Sequence, residues 1–155
     1  MPILIYTIDV PAEKSVAQII ALLSRKQAES ITQDFFADGR VKAISFRMKV
    51  GIAQVHFALP ANIEGVHGVL RKQAPYSNYK QCSQDQYFRK QRLQAEKIAW
   101  RIVKDWVEAQ MAMIESGQAE VAQVFLPYAQ QGDGRTMYEL FIEGHQRQLT
   151  SGEAQ

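Results

Sequence analysis

The start of the chain alternates between runs of apolar residues and polar turns. Residues 3–10 are rich in β-branched and aromatic side chains and stop at Pro11, which predicts a buried strand. Apolar residues then recur with helical spacing over 13–27, and the positions between them are polar. We therefore expect a strand followed by an amphipathic helix.

A hairpin and a third strand are predicted next. The Asp38-Gly39 pair separates two strand-like runs at 31–37 and 40–50, and this pair favours a tight hairpin because both turn positions prefer positive φ. Gly51 provides another turn, after which alternating residues predict a strand that closes at Pro60. The first half of the chain thus has the predicted order β-α-β-β-β.

The second half has a helical pattern. A short helix is expected over 62–70, and the polar, aperiodic stretch 72–86 is expected to be a loop. A long helix with a wide apolar arc is predicted from residue 83 or 84 to 116, with both tryptophans in the core. A short helix at 119–125 and a helical turn or edge strand at 137–142 complete the pattern.

These elements predict an α+β fold in which a small antiparallel sheet is combined with a long C-terminal helix. The length of 155 residues is typical of one domain. We expect a single domain over 1–145, with the sheet and first helix in 1–70 and the loop and helical part in 71–145. Residues 146–155 are expected to form a flexible tail.

Composition bears on location and on chemistry. The lone Cys82 cannot form an internal disulfide, and no signal peptide or membrane-spanning run is visible, so we expect a cytoplasmic protein without a membrane role. The glycine-rich loops that cradle phosphates are missing, and the three histidines are far apart in sequence. We therefore predict no catalytic residues, no metal site and no cofactor, with an enzyme of unrecognised site as the third alternative.

Charge is distributed unevenly along the chain. The net charge is only +2, yet residues 71–104 carry nine basic and two acidic side chains, whereas residues 105–155 carry two basic and eight acidic ones. Aromatic residues are interleaved with the cations, a mixture that suits phosphate contacts and base stacking on single-stranded nucleic acid. The predicted binding residues of this segment are Arg71, Lys72, Tyr76, Tyr79, Lys80, Tyr87, Arg89, Lys90 and Arg92. Arg47 and Lys49, on the polar face of the hairpin, are candidates to extend this surface.

Two other readings of the basic segment stay open. The cations are also compatible with an ordinary solvated face whose aromatic residues cover apolar surface. Alternatively, the basic segment meets the acidic C-terminal third of a second copy, and the protein is a homo-oligomerising or partner-binding module. In that case the long helix buries its surplus apolar arc against another chain.

Two parts of the chain resemble a group of small bacterial and phage proteins that have no assigned activity. The longer part is Gln94-Ala95-Glu96-Lys97-Ile98-Ala99-Trp100-Arg101-Ile102-Val103-Lys104-Asp105-Trp106-Val107-Glu108-Ala109-Gln110, followed by Val124-Phe125-Leu126-Pro127-Tyr128. The other runs from Asp38-Gly39 to Phe46, with Leu59-Pro60 after it. The resemblance implies a phage or mobile-element setting, where small proteins with basic patches often handle DNA. Together with the basic segment, it predicts a non-enzymatic protein that binds single-stranded nucleic acid.

Overall fold

The computed structural model describes residues 8–77 and 81–152, and the predicted α+β class is confirmed. These residues form a three-stranded antiparallel sheet and five α-helices. The elements, in chain order, are α1 (Ala12–Arg25), β1 (Ser30–Phe35), β2 (Val41–Val50), β3 (Ala53–Pro60), α2 (Ile63–Gln73), α3 (Gln84–Glu115), α4 (Val121–Phe125) and α5 (Met137–Gly152).

The strand expected over 3–10 falls mostly on residues outside the described part of the chain. Its last three positions, 8–10, are described and have an irregular backbone. Pro11 comes next, and its carbonyl oxygen accepts a hydrogen bond from the backbone N–H of Lys14 at 3.1 Å. The first regular element of the described residues is therefore α1.

The predicted hairpin forms around Asp38-Gly39. Gly39 has a φ of +85°, a left-handed conformation without steric cost for glycine, whereas Asp38 does not have the positive φ expected of both turn positions. The Asp38 carboxylate accepts hydrogen bonds from the Arg40 backbone N–H at 3.1 Å and from Arg40 Nε at 2.7 Å. The turn is thus fixed by residues that are adjacent in sequence, which explains why it is predictable from the sequence.

One face of the sheet is apolar and the other is polar, as the alternation predicts. In the register of β2 with β3, Phe46 faces Phe57 and Arg47 faces His56. The Phe46 and Phe57 rings stack with centroids 5.2 Å apart, and the Phe125 ring of α4 meets Phe46 edge-on at 5.3 Å. These three buried rings form the core beside the sheet.

Helix α2 is longer than predicted and begins with a side-chain cap. Asn62 Oδ1 accepts a hydrogen bond from the Gly65 backbone N–H at 2.9 Å. A Cβ atom at position 65 would lie 2.7 Å from Asn62 Nδ2, so a larger residue there would require the Asn62 side chain to shift. Gly65 thus lies directly against the side chain that caps the helix.

The long helix α3 matches its predicted bounds to within one residue at its C-terminal end. Trp100 is fully buried, as expected, whereas Trp106 is only half-buried. Lys104, predicted on the charged face, is instead 8% exposed, and its ammonium group is paired with Glu108. A lysine stem can cover apolar surface while its end reaches a carboxylate, so a helical charge pattern alone does not show exposure.

The end of the described chain is helical. The short helix expected at 119–125 is α4, and a turn of 3₁₀ helix at Leu126–Tyr128 follows it. Helix α5 then runs to Gly152, so the turn or edge strand expected at 137–142 is the start of a longer helix. The flexibility expected of residues 146–155 stays a prediction.

The described residues group into two compact units that interleave along the chain. The helical unit comprises the described residues of Met1–Leu22 together with Ala61–Ala109, and it contains α2 and most of α1 and α3. The sheet unit comprises Leu23–Pro60 and the described residues of Gln110–Gln155. Organisation as one domain stays a prediction.

Candidate nucleic-acid interface

The end of α2 and the beginning of α3 are held together by one buried side chain. Gln91 Nε2 donates hydrogen bonds to the backbone carbonyl oxygens of Leu70 at 3.1 Å and of Ala74 at 3.0 Å. The Leu70 carbonyl oxygen also accepts the Ala74 backbone N–H, and Ala74 is the residue that caps the C-terminal end of α2. Gln91 therefore places the basic end of α2 beside the basic first turns of α3, and we call this region the α2–α3 junction.

Three arginines meet in a groove at this junction. The groove has a volume of about 300 Å³ and is lined by His67, Arg71, Asp85, Phe88, Arg89 and Arg92. We call it the arginine groove. The guanidinium carbon of Arg71 lies 5.3 Å from the centroid of the Phe88 ring. Stacking of this kind holds the guanidinium plane in place without using its N–H groups as donors.

A second arginine of the groove is fixed by an ion pair. Arg92 Nε and Nη2 lie 2.8 and 2.7 Å from Glu64 Oε1. The hydrogen bond from Arg92 holds the pKa of Glu64 below its usual range. An arginine has five N–H donors, so Arg92 keeps donors for a ligand although part of its charge is offset.

A buried histidine lines the same groove. His67 is only 3% exposed, and the Gln91 side chain is a hydrogen-bonding neighbour of its ring. Burial, and then the positive charge of Arg71, lower the pKa of His67, and these effects outweigh the neighbouring Glu64 and Gln91, which raise it. The lowered pKa favours the neutral ring, which carries one N–H donor and one acceptor nitrogen.

The cations further along α3 are neutralised within the helical unit. Lys97 Nζ lies 3.1 Å from the Asp9 carboxylate, and Lys104 is paired with Glu108. Arg101 donates to Gln18 Oε1 at 3.0 Å and lies 3.4 Å from the Asp105 carboxylate. Among the described cations of 71–104, those of the later turns of α3 are therefore neutralised, and the unpaired ones lie at the α2–α3 junction.

Four of the predicted cations combine exposure with freedom from ion pairs. Arg71 and Lys72 end α2, and Arg89 and Lys90 lie in the second turn of α3. All four are exposed, and within residues 8–77 and 81–152 none of them forms an ion pair. We call these four residues the junction cations.

Two of the predicted stacking tyrosines are engaged in holding the chain. The Tyr87 hydroxyl donates to the Ala74 carbonyl oxygen at 2.5 Å, and the Tyr76 hydroxyl donates to the Cys82 carbonyl oxygen at 3.1 Å. The two rings are half-buried, with centroids 5.7 Å apart. Both side chains thus stabilise the junction. Tyr79 and Lys80 lie outside the described residues.

The two candidates on the hairpin belong to the sheet unit. The Arg47 guanidinium lies 3.4 Å from the Glu29 carboxylate, whereas Lys49 is exposed. Both side chains are on the polar face of the sheet, as predicted, since they pair in register with His56 and Gln54.

A larger groove of about 450 Å³ is lined by Ile8, Asp9, Leu70, Tyr87, Lys90, Gln91 and Gln94. Gln94 Nε2 donates to the Ile8 carbonyl oxygen at 2.6 Å along its wall. Elsewhere on α3, Glu96 is 5% exposed and lies four residues before the fully buried Trp100. The described residues contain no group of three or more side chains that could hold a metal ion. They also contain no helix long and apolar enough to cross a bilayer.

His67 is a residue of the groove that the sequence analysis does not assign to the site. Its position in the sequence carries a helical signal, because His67 lies four residues after Ile63 and four before Arg71. That spacing puts the three side chains on one side of α2.

Comparison with models of protein families, with curated proteins and with solved structures finds no match for this chain. The resemblance to small bacterial and phage proteins therefore stays a prediction.

Proposed function

We propose that this protein is a non-enzymatic binder of single-stranded nucleic acid that contacts phosphates through the junction cations. The observation that carries the proposal is the exposure of Arg71, Lys72, Arg89 and Lys90 without ion-pair partners in the described chain. Each such cation releases a condensed counterion when it meets a phosphate, which favours binding. A cation that is already paired with a carboxylate contributes less binding free energy when it meets a phosphate.

The geometry favours contacts to the backbone over reading of the bases. The Tyr76 and Tyr87 hydroxyls are bonded to main-chain carbonyls, and Arg71 covers the Phe88 ring. Phosphate contacts carry no sequence information, so we propose weak sequence preference. A cytoplasmic role in handling phage or mobile-element DNA belongs to this proposal and is supported by the resemblance described above.

The test is fluorescence anisotropy with a labelled single strand of about 12 nucleotides, a length within the usual site size of single-strand binders. We compare Lys90→Gln with Lys97→Gln, two identical substitutions on α3 with the same change in net charge. Lys97 is paired with Asp9, so only Lys90→Gln should weaken binding. Absence of binding, or equal losses in both variants, would reject the proposal.

A second candidate function is self-association through α5. Tyr138, Phe141 and Leu149 are exposed on this helix, and none of its residues is buried. An isolated helix of 16 residues is marginally stable in water, and contact with a second copy would cover its apolar side chains. Light scattering should then show a dimer that Phe141→Ser returns to a monomer, and a monomer at all concentrations would exclude this candidate.

A further inference from the structure

We propose that the arginine groove is a discrete binding site for one phosphate group, which is held by the guanidinium groups of Arg71, Arg89 and Arg92. This inference rests on the proposed function and specifies where one phosphate is held. The source of that group is either free inorganic phosphate or a phosphate of a nucleic-acid strand. The chemistry recognised in the two cases is the same.

Two of the three arginines of the groove are held in place before any ligand arrives. Arg71 is stacked on Phe88 at 5.3 Å, and Arg92 is held by Glu64. A guanidinium that is already positioned loses less side-chain entropy on binding than a free one. The groove thus differs from a set of mobile surface lysines.

His67 makes the groove open to observation. Its two ring nitrogens are buried from solvent, and the Gln91 side chain is their hydrogen-bonding neighbour. The ring itself lines the groove that holds three guanidinium groups, so its resonances should respond to a phosphate bound there.

The carboxylates near the groove limit how much negative charge it attracts. Asp85 lines the groove and has no ion pair within the described residues, and Glu64 offsets part of the Arg92 charge. Arg71 and Arg89 remain as unneutralised cations, which leaves the groove positive. The small remaining positive charge matches one phosphate group better than several.

Binding is measured by titrating the protein with inorganic phosphate and following the imidazole resonances of His67 by NMR, assigned from their loss in His67→Asn. The resonances should shift saturably, and the Kd should rise at least about tenfold in Arg71→Gln, as expected for one lost charge-assisted hydrogen bond. Lys97→Gln is the control, because Lys97 is paired with Asp9 and does not line the arginine groove. Its Kd should change by less than about twofold. No saturable shift, or an equal Kd in wild type and Arg71→Gln, would overturn the proposal.

Competition separates this inference from the proposed function. If both are right, phosphate displaces a labelled single strand from the protein. A strand that binds while phosphate leaves the His67 resonances unchanged overturns the groove site and leaves nucleic-acid binding standing. Saturable phosphate binding by a protein that binds no strand supports the groove site and rejects the nucleic-acid function.

Discussion

The role of Tyr87 separates a structural aromatic residue from a base-stacking one. Its hydroxyl donates to the Ala74 carbonyl oxygen at 2.5 Å, and its ring lies 5.7 Å from Tyr76 and 5.8 Å from Phe88. The substitution Tyr87→Phe removes the hydroxyl and keeps the ring. It therefore tests whether this hydrogen bond stabilises the α2–α3 junction.

The expected loss of stability in Tyr87→Phe follows from the hydrogen bonds that remain after the substitution. The Ala74 carbonyl oxygen still accepts a hydrogen bond from Gln91 Nε2 at 3.0 Å, so no buried acceptor is left unsatisfied. The loss is then the net value of one hydrogen bond, about 1 kcal/mol. In a protein of this size that corresponds to a fall in Tm of about 2–4 °C.

Urea unfolding followed by circular dichroism measures the change in the free energy of unfolding, and anisotropy measures binding of the single strand. We expect a loss of about 1 kcal/mol in stability and less than about a twofold change in DNA affinity. Unchanged stability together with a tenfold or greater loss of affinity would refute the reasoning, because the hydroxyl would then serve the ligand.

Three further predictions concern other parts of the structure. Burial holds the pKa of His67 below its value in the unfolded chain, so the free energy of unfolding should decrease as the pH drops below about 6.5. In urea unfolding, His67→Asn should show a smaller decrease over this pH range than the wild type. Phe125→Ala removes the ring that contacts Phe46 and Phe57, and it should lower the free energy of unfolding in urea by about 3–5 kcal/mol. A decrease below about 1 kcal/mol would contradict this aromatic packing. Asp85→Asn removes a negative charge from the arginine groove and should tighten single-strand binding about two- to fivefold in anisotropy, whereas weaker binding would argue against phosphate there.

The sequence predicts well the features that depend on residues close together along the chain. The turn at Asp38-Gly39 is held by Asp38 and Arg40, only two residues apart. The bounds of α3 follow from a long apolar arc and from Gly117, whose φ is +74° after the end of the helix. The Asp133-Gly134-Arg135 turn repeats the hydrogen bonds of the first turn, with Asp133 accepting from Arg135.

The candidate site depends on pairings that the sequence does not reveal. Lys97 is neutralised by Asp9, 88 positions earlier, and Arg92 is fixed by Glu64, 28 positions earlier. Charge counted along the chain cannot detect such pairs, since they form only when distant elements fold together. The segment identified as basic is therefore broader than the set of cations that the structure leaves available.

The salt dependence of single-strand binding tests the central claim most directly, because it counts the cations that meet phosphates. Four junction cations predict a slope of log affinity against log salt of about −2.8, or about a 50-fold loss between about 50 and 200 mM salt. The slope should become about 0.7 less steep in Lys90→Gln and stay unchanged in Lys97→Gln. A slope near zero, or equal changes in the two variants, would contradict the account.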